Sequence, residues 1–331
     1  MPSDIKSLIL SDEYVFLREN ENIKDKIILL VLGGSHAYGT NTETSDTDIR
    51  GIVLNSKNDL LGLGDFEHFV ETKTDTTIYS VKKAFLKLMG CNPNTIEMIG
   101  TREEEILINS YAGKLIRDNA KLFLSKRAVR TFSGYATAQL RRIQNNLARH
   151  DYPKEEKEAH ILKSLERQMY HFKEHYTNMG QGSIKLSIGK SNFEECDEEI
   201  LMDIDLKQYP LRTFAGIYSE MMNVVRDYNK LNHRNKKKSE LGLNKHKMHS
   251  VRLLYKGIQV LTEEKIETHC GYLVPHLLEI KNGKVDNESF FALVDKLEKD
   301  FDYAAKHTNL PDEPDRNKIE ELLMEINSLS L

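Results

Sequence analysis

Residues 33–51 read GGSHAYGTNTETSDTDIRG, between the apolar run IILLVL at 27–32 and IVL at 52–54. A short apolar run stopped by two glycines predicts a buried strand followed by a sharp turn. The segment TDIRGIVL at 47–54 predicts a second strand, and DTTIYS at 75–80 a third. Next, VKKAFLKLMG repeats apolar residues at helical intervals through Val81, Phe85 and Leu88, before the turn signal CNPN and a short segment TIEMIG. Strands and helices alternate over roughly the first hundred residues, which predicts a small α/β unit built on a mixed sheet.

Past Gly100 the texture changes. AGKLIRDNAKLFLSKRAVRTFSGYATAQLRRIQNNLARH has helical periodicity and few glycines. The expected fold class is therefore α+β, with an α/β domain at 1–104 and a mainly helical domain at 105–331. The Gly- and Ser-containing region 178–210 predicts a loop or a small hairpin.

The chain has 331 residues, 39% hydrophobic and 30% charged, enough for two packed domains. No run approaches the roughly 20 apolar residues that cross a bilayer. The start, MPSDIKSLIL, lacks the basic region and long apolar core of a signal peptide. No membrane partner is expected, and the expected location is the cytoplasm. Cys91, Cys196 and Cys270 are far apart and form no CxxC, so neither a disulfide framework nor a Cys-based zinc site is suggested.

What can the stretch at 33–51 do? Gly34 to Thr40 has the glycine spacing of a P-loop but not its lysine, and no G-x-G-x-x-G is present. The Asp-Thr-Asp is more informative. On a strand, Asp46 and Asp48 project from one side with Cα atoms about 6.5–7 Å apart, close enough to share hard cations such as Mg²⁺. The Gly34-Ser35 turn, leading into a short helix, offers backbone N–H groups and a hydroxyl to terminal phosphates. An isolated D-x-D is more often a polar turn, and Ser35 is also a natural N-cap. The upstream Gly-Ser and the flanking strands favour a metal site.

A Gly-Ser pair at the end of a strand, ten residues, then Asp-x-Asp on the next strand resembles the hallmark of the DNA polymerase beta-like nucleotidyltransferase superfamily. The wording GSHAYGT, SDTDIRG, NPNTIE and KHKMHSVRLL resembles its YcgL-like group of predicted nucleotidyltransferases, associated with RNA repair. That resemblance implies a third carboxylate on a later strand, for which Glu97 is the best match. It also implies two Mg²⁺ ions (Mn²⁺ as an alternative) on Asp46, Asp48 and Glu97. The reaction it implies transfers a nucleoside monophosphate from an NTP to an acceptor hydroxyl, on RNA before protein, with release of pyrophosphate. The rival expectation is a catalytically idle protein that keeps the fold and holds RNA or a partner.

The net charge of −4 conceals a basic strip. Nine Lys or Arg lie between Lys230 and Lys256 against one acid, Glu240. If 244–261 is one helix, Lys245, His249, Arg252 and Lys256 form one stripe, while Met248, Val251, Tyr255 and Ile258 face a core. The stripe suggests phosphate binding, with Lys245, His249 and Arg252 joining Gly34 and Ser35 at the nucleotide, or else a solvated helix face. His36 and Tyr38 are expected to pack or to fill hydrogen bonds. Arg50 either pairs with the aspartates or contacts the acceptor. His246 and His249 lack further ligands for zinc, His150-Asp151 is a lone pair, and Arg127, Arg130, Arg141 and Arg142 form a looser basic group. No RNA-recognition aromatic motif is present.

Overall fold

The computed structural model describes residues 7–43, 45–151, 184–190, 198–219, 221–222 and 240–331. Cys196, GQGS at 180–183, and Lys230, Arg234, Lys236, Lys237 and Lys238 of the basic strip lie outside the described residues. The chain forms two compact units, 1–139 with 244–331, and 140–243.

The first unit holds a five-stranded mixed sheet in the order β3-β4-β2-β1-β5. Strand β1 (Ile27–Leu32) leads into the short helix α1 (Gly34–Tyr38). Then follow β2 (Ile49–Val53), α2 (Lys57–Leu61), β3 (His68–Glu71) and β4 (Thr76–Ser80). Ile28, Leu29, Leu30, Val31 and Leu32 of β1 are all buried, which is why that strand reads as an unbroken apolar run rather than an alternation. Strand β1 pairs antiparallel with β2 and with β5 (Ile106–Asn109). Strands β2 and β4 run parallel, with Ile49 opposite Thr76. That register matters more for the site than any other pairing, because it puts the residues just before the two strands side by side.

Helix α3 (Val81–Met89) starts where the Ser80 side chain accepts from the Lys83 N–H, and it buries Val81, Ala84, Phe85 and Leu88 on one face. Helix α4 (Pro93–Ile99) begins on Pro93, whose missing N–H costs nothing in a first turn, and ends at Gly100. Thus the segment after CNPN is helix, not strand. Helices α5 (Tyr111–Asp118) and α6 (Arg127–Asp151) follow.

In the second unit, β6 (Ile184–Lys190) and β7 (Glu198–Ile204) form an antiparallel hairpin, in agreement with the expectation for 178–210. Toward the C-terminus lie α7 (Glu240–Glu263), α8 (Val274–Lys281), α9 (Asn287–His307) and α10 (Arg316–Ser328). Residues 244–331 share the unit that holds the sheet, whereas by sequence the chain divides at 104/105. The architecture is α+β, as the sequence predicts. Among the described residues no helix is long and apolar enough to cross a membrane.

Candidate active site

The site grows from the end of β1. Gly33 donates its N–H to the Asp48 carbonyl at 2.8 Å, tying the turn to the entrance of β2. Gly34 has φ +55°, in the left-handed region, and a Cβ there would coincide with Oδ2 of Asp48. The glycine therefore serves twice, for its backbone conformation and for the room it leaves a carboxylate. Gly39, with φ 76°, ends α1 in a left-handed cap.

Asp46 and Asp48 do not lie on a strand, contrary to the sequence expectation. The ladder starts one residue later, with the Ile49 N–H donating to the Asp75 carbonyl at 3.3 Å, so both aspartates belong to the loop that feeds β2. Asp46 is exposed; Asp48 is half-buried. The residue facing Asp48 is Asp75, one position before β4, as the parallel register requires. The Arg50 guanidinium holds Asp75 through its backbone carbonyl and its carboxylate, the latter at 3.2 Å. Arg50 thus pairs with Asp75 and not with Asp46 or Asp48, the aspartates that the sequence offered as its partners.

The two carboxyls share a hydrogen bond. Burial pushes Asp48 up to about 7, with the bond to Asp75 adding to the rise against the opposing charges of Arg50 and Lys245. Asp75 is held below the usual carboxylate range, first by that bond and then by Arg50. Asp48 therefore holds its proton to higher pH than an ordinary aspartate, first because it is half-buried and then because a second carboxyl lies beside it. Sequence reasoning missed Asp75, although its signal was present: an aspartate at the start of DTTIYS, already read as a strand.

Glu97 sits on α4 and is buried. Its Oε2 accepts from the Tyr38 hydroxyl at 2.8 Å, and its Oε1 from Nη1 of Arg252. Its backbone carbonyl accepts from the hydroxyls of Thr101 and Thr268. The Arg252 guanidinium lies 3.7 Å from the centroid of the Tyr38 ring, and His249 meets the same ring edge-on at 6.2 Å. Burial, aided by Arg252 and Lys245, drops His249 to about 3, so its imidazole is neutral. The Tyr38 hydroxyl is pushed far up by burial, so the phenol stays protonated to donate to Glu97.

The basic stripe on α7 turns inward. Arg252 is engaged with Glu97, and the Lys256 ammonium donates to the Gln259 side chain at 2.9 Å and to the His269 carbonyl at 2.8 Å. Lys247, two residues past Lys245 and off the stripe, donates to Asn287 at 2.7 Å. Lys245 is the exposed member, and its charge acts on both Asp48 and Asp75. Nearby, Lys281 donates to the Thr40 carbonyl at 2.8 Å, and its pKa is lowered by burial and by Lys245. The periodicity of α7 predicts the stripe correctly, but periodicity does not say which face meets solvent: Met248 and Val251 on one side, and Arg252 and Lys256 on the other, are all buried.

From residue 12 to residue 325, the chain matches the RNA repair pathway DNA polymerase beta family, RlaP. It belongs to that family. No curated protein and no solved structure matches it. In this RlaP chain the acids beside the Gly-Ser turn have the chemistry that a hard divalent cation requires. They are oxygen donors, and burial together with the neighbouring Asp75 raises the Asp48 carboxyl, as expected where negative charge lacks a compensating cation. Asp46 belongs to the same loop and is exposed; among the described residues no three His, Cys, Asp or Glu side chains are gathered around one point.

Proposed function

We propose that this RlaP chain is a metal-dependent nucleotidyltransferase that moves a nucleoside monophosphate from an NTP to an acceptor hydroxyl, RNA before protein, and releases pyrophosphate. The observation that carries this reading is the Asp48–Asp75 pair, set against the Cα of a left-handed Gly34 and under the charge of Lys245. Asp46, Asp48 and Asp75 are the residues that would hold Mg²⁺ or Mn²⁺; two such ions would neutralise phosphate charge and acidify the attacking hydroxyl. Asp75 takes the place that the family resemblance gave to Glu97, whose two oxygens are already engaged by Tyr38 and Arg252.

Each protein group has a task in this scheme. The first-turn N–H groups of α1 have no intrahelical acceptor and, with the Ser35 hydroxyl, receive phosphate oxygens. Lys245 meets the triphosphate from the side of α7. Arg50 keeps Asp75 ionised and in place. The acceptor oxygen then bonds to the α-phosphorus as the bond to the pyrophosphate oxygen breaks. Catalysis of this kind rests on positioning and charge stabilisation rather than on a covalent protein intermediate.

The test is incubation of the purified chain with each α-labelled NTP, Mg²⁺ and cellular RNA. Label should appear in RNA with wild type and disappear with Asp48→Asn and with Asp75→Asn. Label found in protein instead would move the acceptor, and transfer surviving in both variants would end the metal-site reading. An idle RNA-binding protein would retain RNA but label nothing under any condition.

A further inference from the structure

Glu97, Arg252 and Tyr38 take no part in the chemistry just described, yet they are built with care. Among the described ion pairs, Glu97–Arg252 alone has both side chains less than a tenth exposed, at 9% and 4%. A buried ion pair is a poor source of stability, since desolvation cancels most of the attraction; what it can fix is geometry. The Arg252 Nε is buried without a hydrogen-bond partner, so the guanidinium is oriented by one carboxylate and one ring face rather than by the largest number of hydrogen bonds.

The three residues come from three elements. Tyr38 ends α1, whose first residues are the Gly34-Ser35 turn; Glu97 belongs to α4; Arg252 lies on α7, seven residues, or about two turns, after Lys245. The far end of α1 is tied down again by the Cys270 N–H donating to the Tyr38 carbonyl at 3.1 Å and by Lys281 donating to the Thr40 carbonyl. Its near end, at Gly34, faces Asp48. We propose that Arg252, oriented by Glu97 and stacked on Tyr38, is a positioning residue that sets the spacing between the Gly34-Ser35 turn and Lys245, and with it the grip on the NTP triphosphate. This rests on the nucleotidyltransferase reading and adds to it a role for residues that touch neither metal nor nucleotide.

The discriminating experiment uses the full chain and three variants: Glu97→Gln, which keeps shape but loses the charge and one of the two acceptor oxygens; Arg252→Lys, which keeps charge but loses the planar stack; and Tyr38→Phe, which removes one hydroxyl. Calorimetry measures binding of Mg²⁺ with ATP, GTP, CTP and UTP in turn, and of the corresponding monophosphates. Mn²⁺ binding without nucleotide is followed by electron paramagnetic resonance. Triphosphate Kd should rise about tenfold in Glu97→Gln and Arg252→Lys, and about twofold to threefold in Tyr38→Phe. Monophosphate and Mn²⁺ affinities should stay within about twofold of wild type. Unchanged triphosphate Kd in cooperatively folded variants would reduce the trio to an ordinary core ion pair. Mn²⁺ affinity falling with Glu97→Gln would make Glu97 a metal ligand and overturn the positioning role. If Arg252→Lys fails to fold, Tyr38→Phe carries the test, because it leaves the ion pair in place. Asp48→Asn reports separately on the reading beneath: intact Mn²⁺ binding there would sink the metal site whatever the trio does.

Discussion

Two acidic groups lie at opposite ends of the five-residue helix α1, and their electrostatics are opposed. At the Gly34 end Asp48 meets Asp75, an acid against an acid, and Asp48 is pushed up to about 7 by burial and by its neighbour. At the Tyr38 end Glu97 meets Arg252, a carboxylate against a cation, with a tyrosine hydroxyl completing the set. The first group has one negative charge too many for a half-buried place and is incomplete without a cation. The second is neutral as a whole and complete. Excess charge marks the place where something binds, and balanced charge marks the place where something is held still.

The sharpest way to break the contrast is to remove one acid from the unbalanced pair. Asp48→Asn or Asp75→Asn should lower nucleotide transfer by about a thousandfold or more, since each removes a ligand of the charge-stabilising group. In EDTA Asp48→Asn, though not Asp75→Asn, which loses the Arg50 ion pair, should stabilise the protein. A carboxyl whose folded pKa is raised contributes stability that is full below the unfolded value and is lost as pH rises through the folded one, so the metal-free protein should weaken between about pH 4 and pH 7. Asp48→Asn should flatten that slope and add about 1–2 kcal/mol at pH 8, a figure discounted for partial exposure and for the opposite shift at Asp75. Denaturant titrations at several pH values would show it, and a stability slope unchanged in the variant would refute the shared proton.

Next in size is Gly34→Val. A β-branched residue at φ +55° is strained, and its Cβ would take the space of the Asp48 carboxylate. NTP binding should weaken by about a hundredfold, far more than in Ser35→Ala, which loses one hydroxyl. Equal effects in the two variants would show that the turn does not cradle phosphate. Lys245→Ala comes third, with apparent KM for NTP rising about tenfold and a weaker salt dependence of binding. A KM unchanged at low salt would leave Lys245 an ordinary surface lysine.

Much of this was legible from sequence, and the misses are instructive. The strand at 27–32, the turn after it and the helix at 81–89 follow from runs and periodicities that depend on near neighbours alone, and all three form as expected. Asp75 was not legible as a partner of Asp48, because 26 residues separate them and only the parallel pairing of β2 with β4 brings them together. Glu97 attracted attention as an acid in a recurring motif, but a sequence does not reveal that Tyr38 and Arg252 occupy both of its oxygens. The inward turn of the basic stripe was hidden for a similar reason. Helical periodicity identifies faces, and tertiary packing decides whether a face meets water.

Lys256 tests that last point with the smallest expected effect. If the stripe faced a ligand, neutralising Lys256 would weaken nucleotide or nucleic-acid binding as much as neutralising Lys245. The structure instead commits its ammonium to the His269 carbonyl and the Gln259 side chain, and burial lowers its pKa. Lys256→Met keeps most of the apolar stem and leaves the His269 carbonyl without its donor, which should cost about 1–2 kcal/mol of stability. Because the next residue, Cys270, donates to the Tyr38 carbonyl, some loosening of α1 should follow, but the Glu97–Arg252 pair still holds that helix from its other side. NTP affinity in Lys256→Met should therefore stay within about twofold of wild type while the unfolding midpoint falls. A tenfold loss of NTP affinity with an unchanged midpoint would mean that Lys256 reaches the ligand and that the stripe on α7 acts as one surface after all.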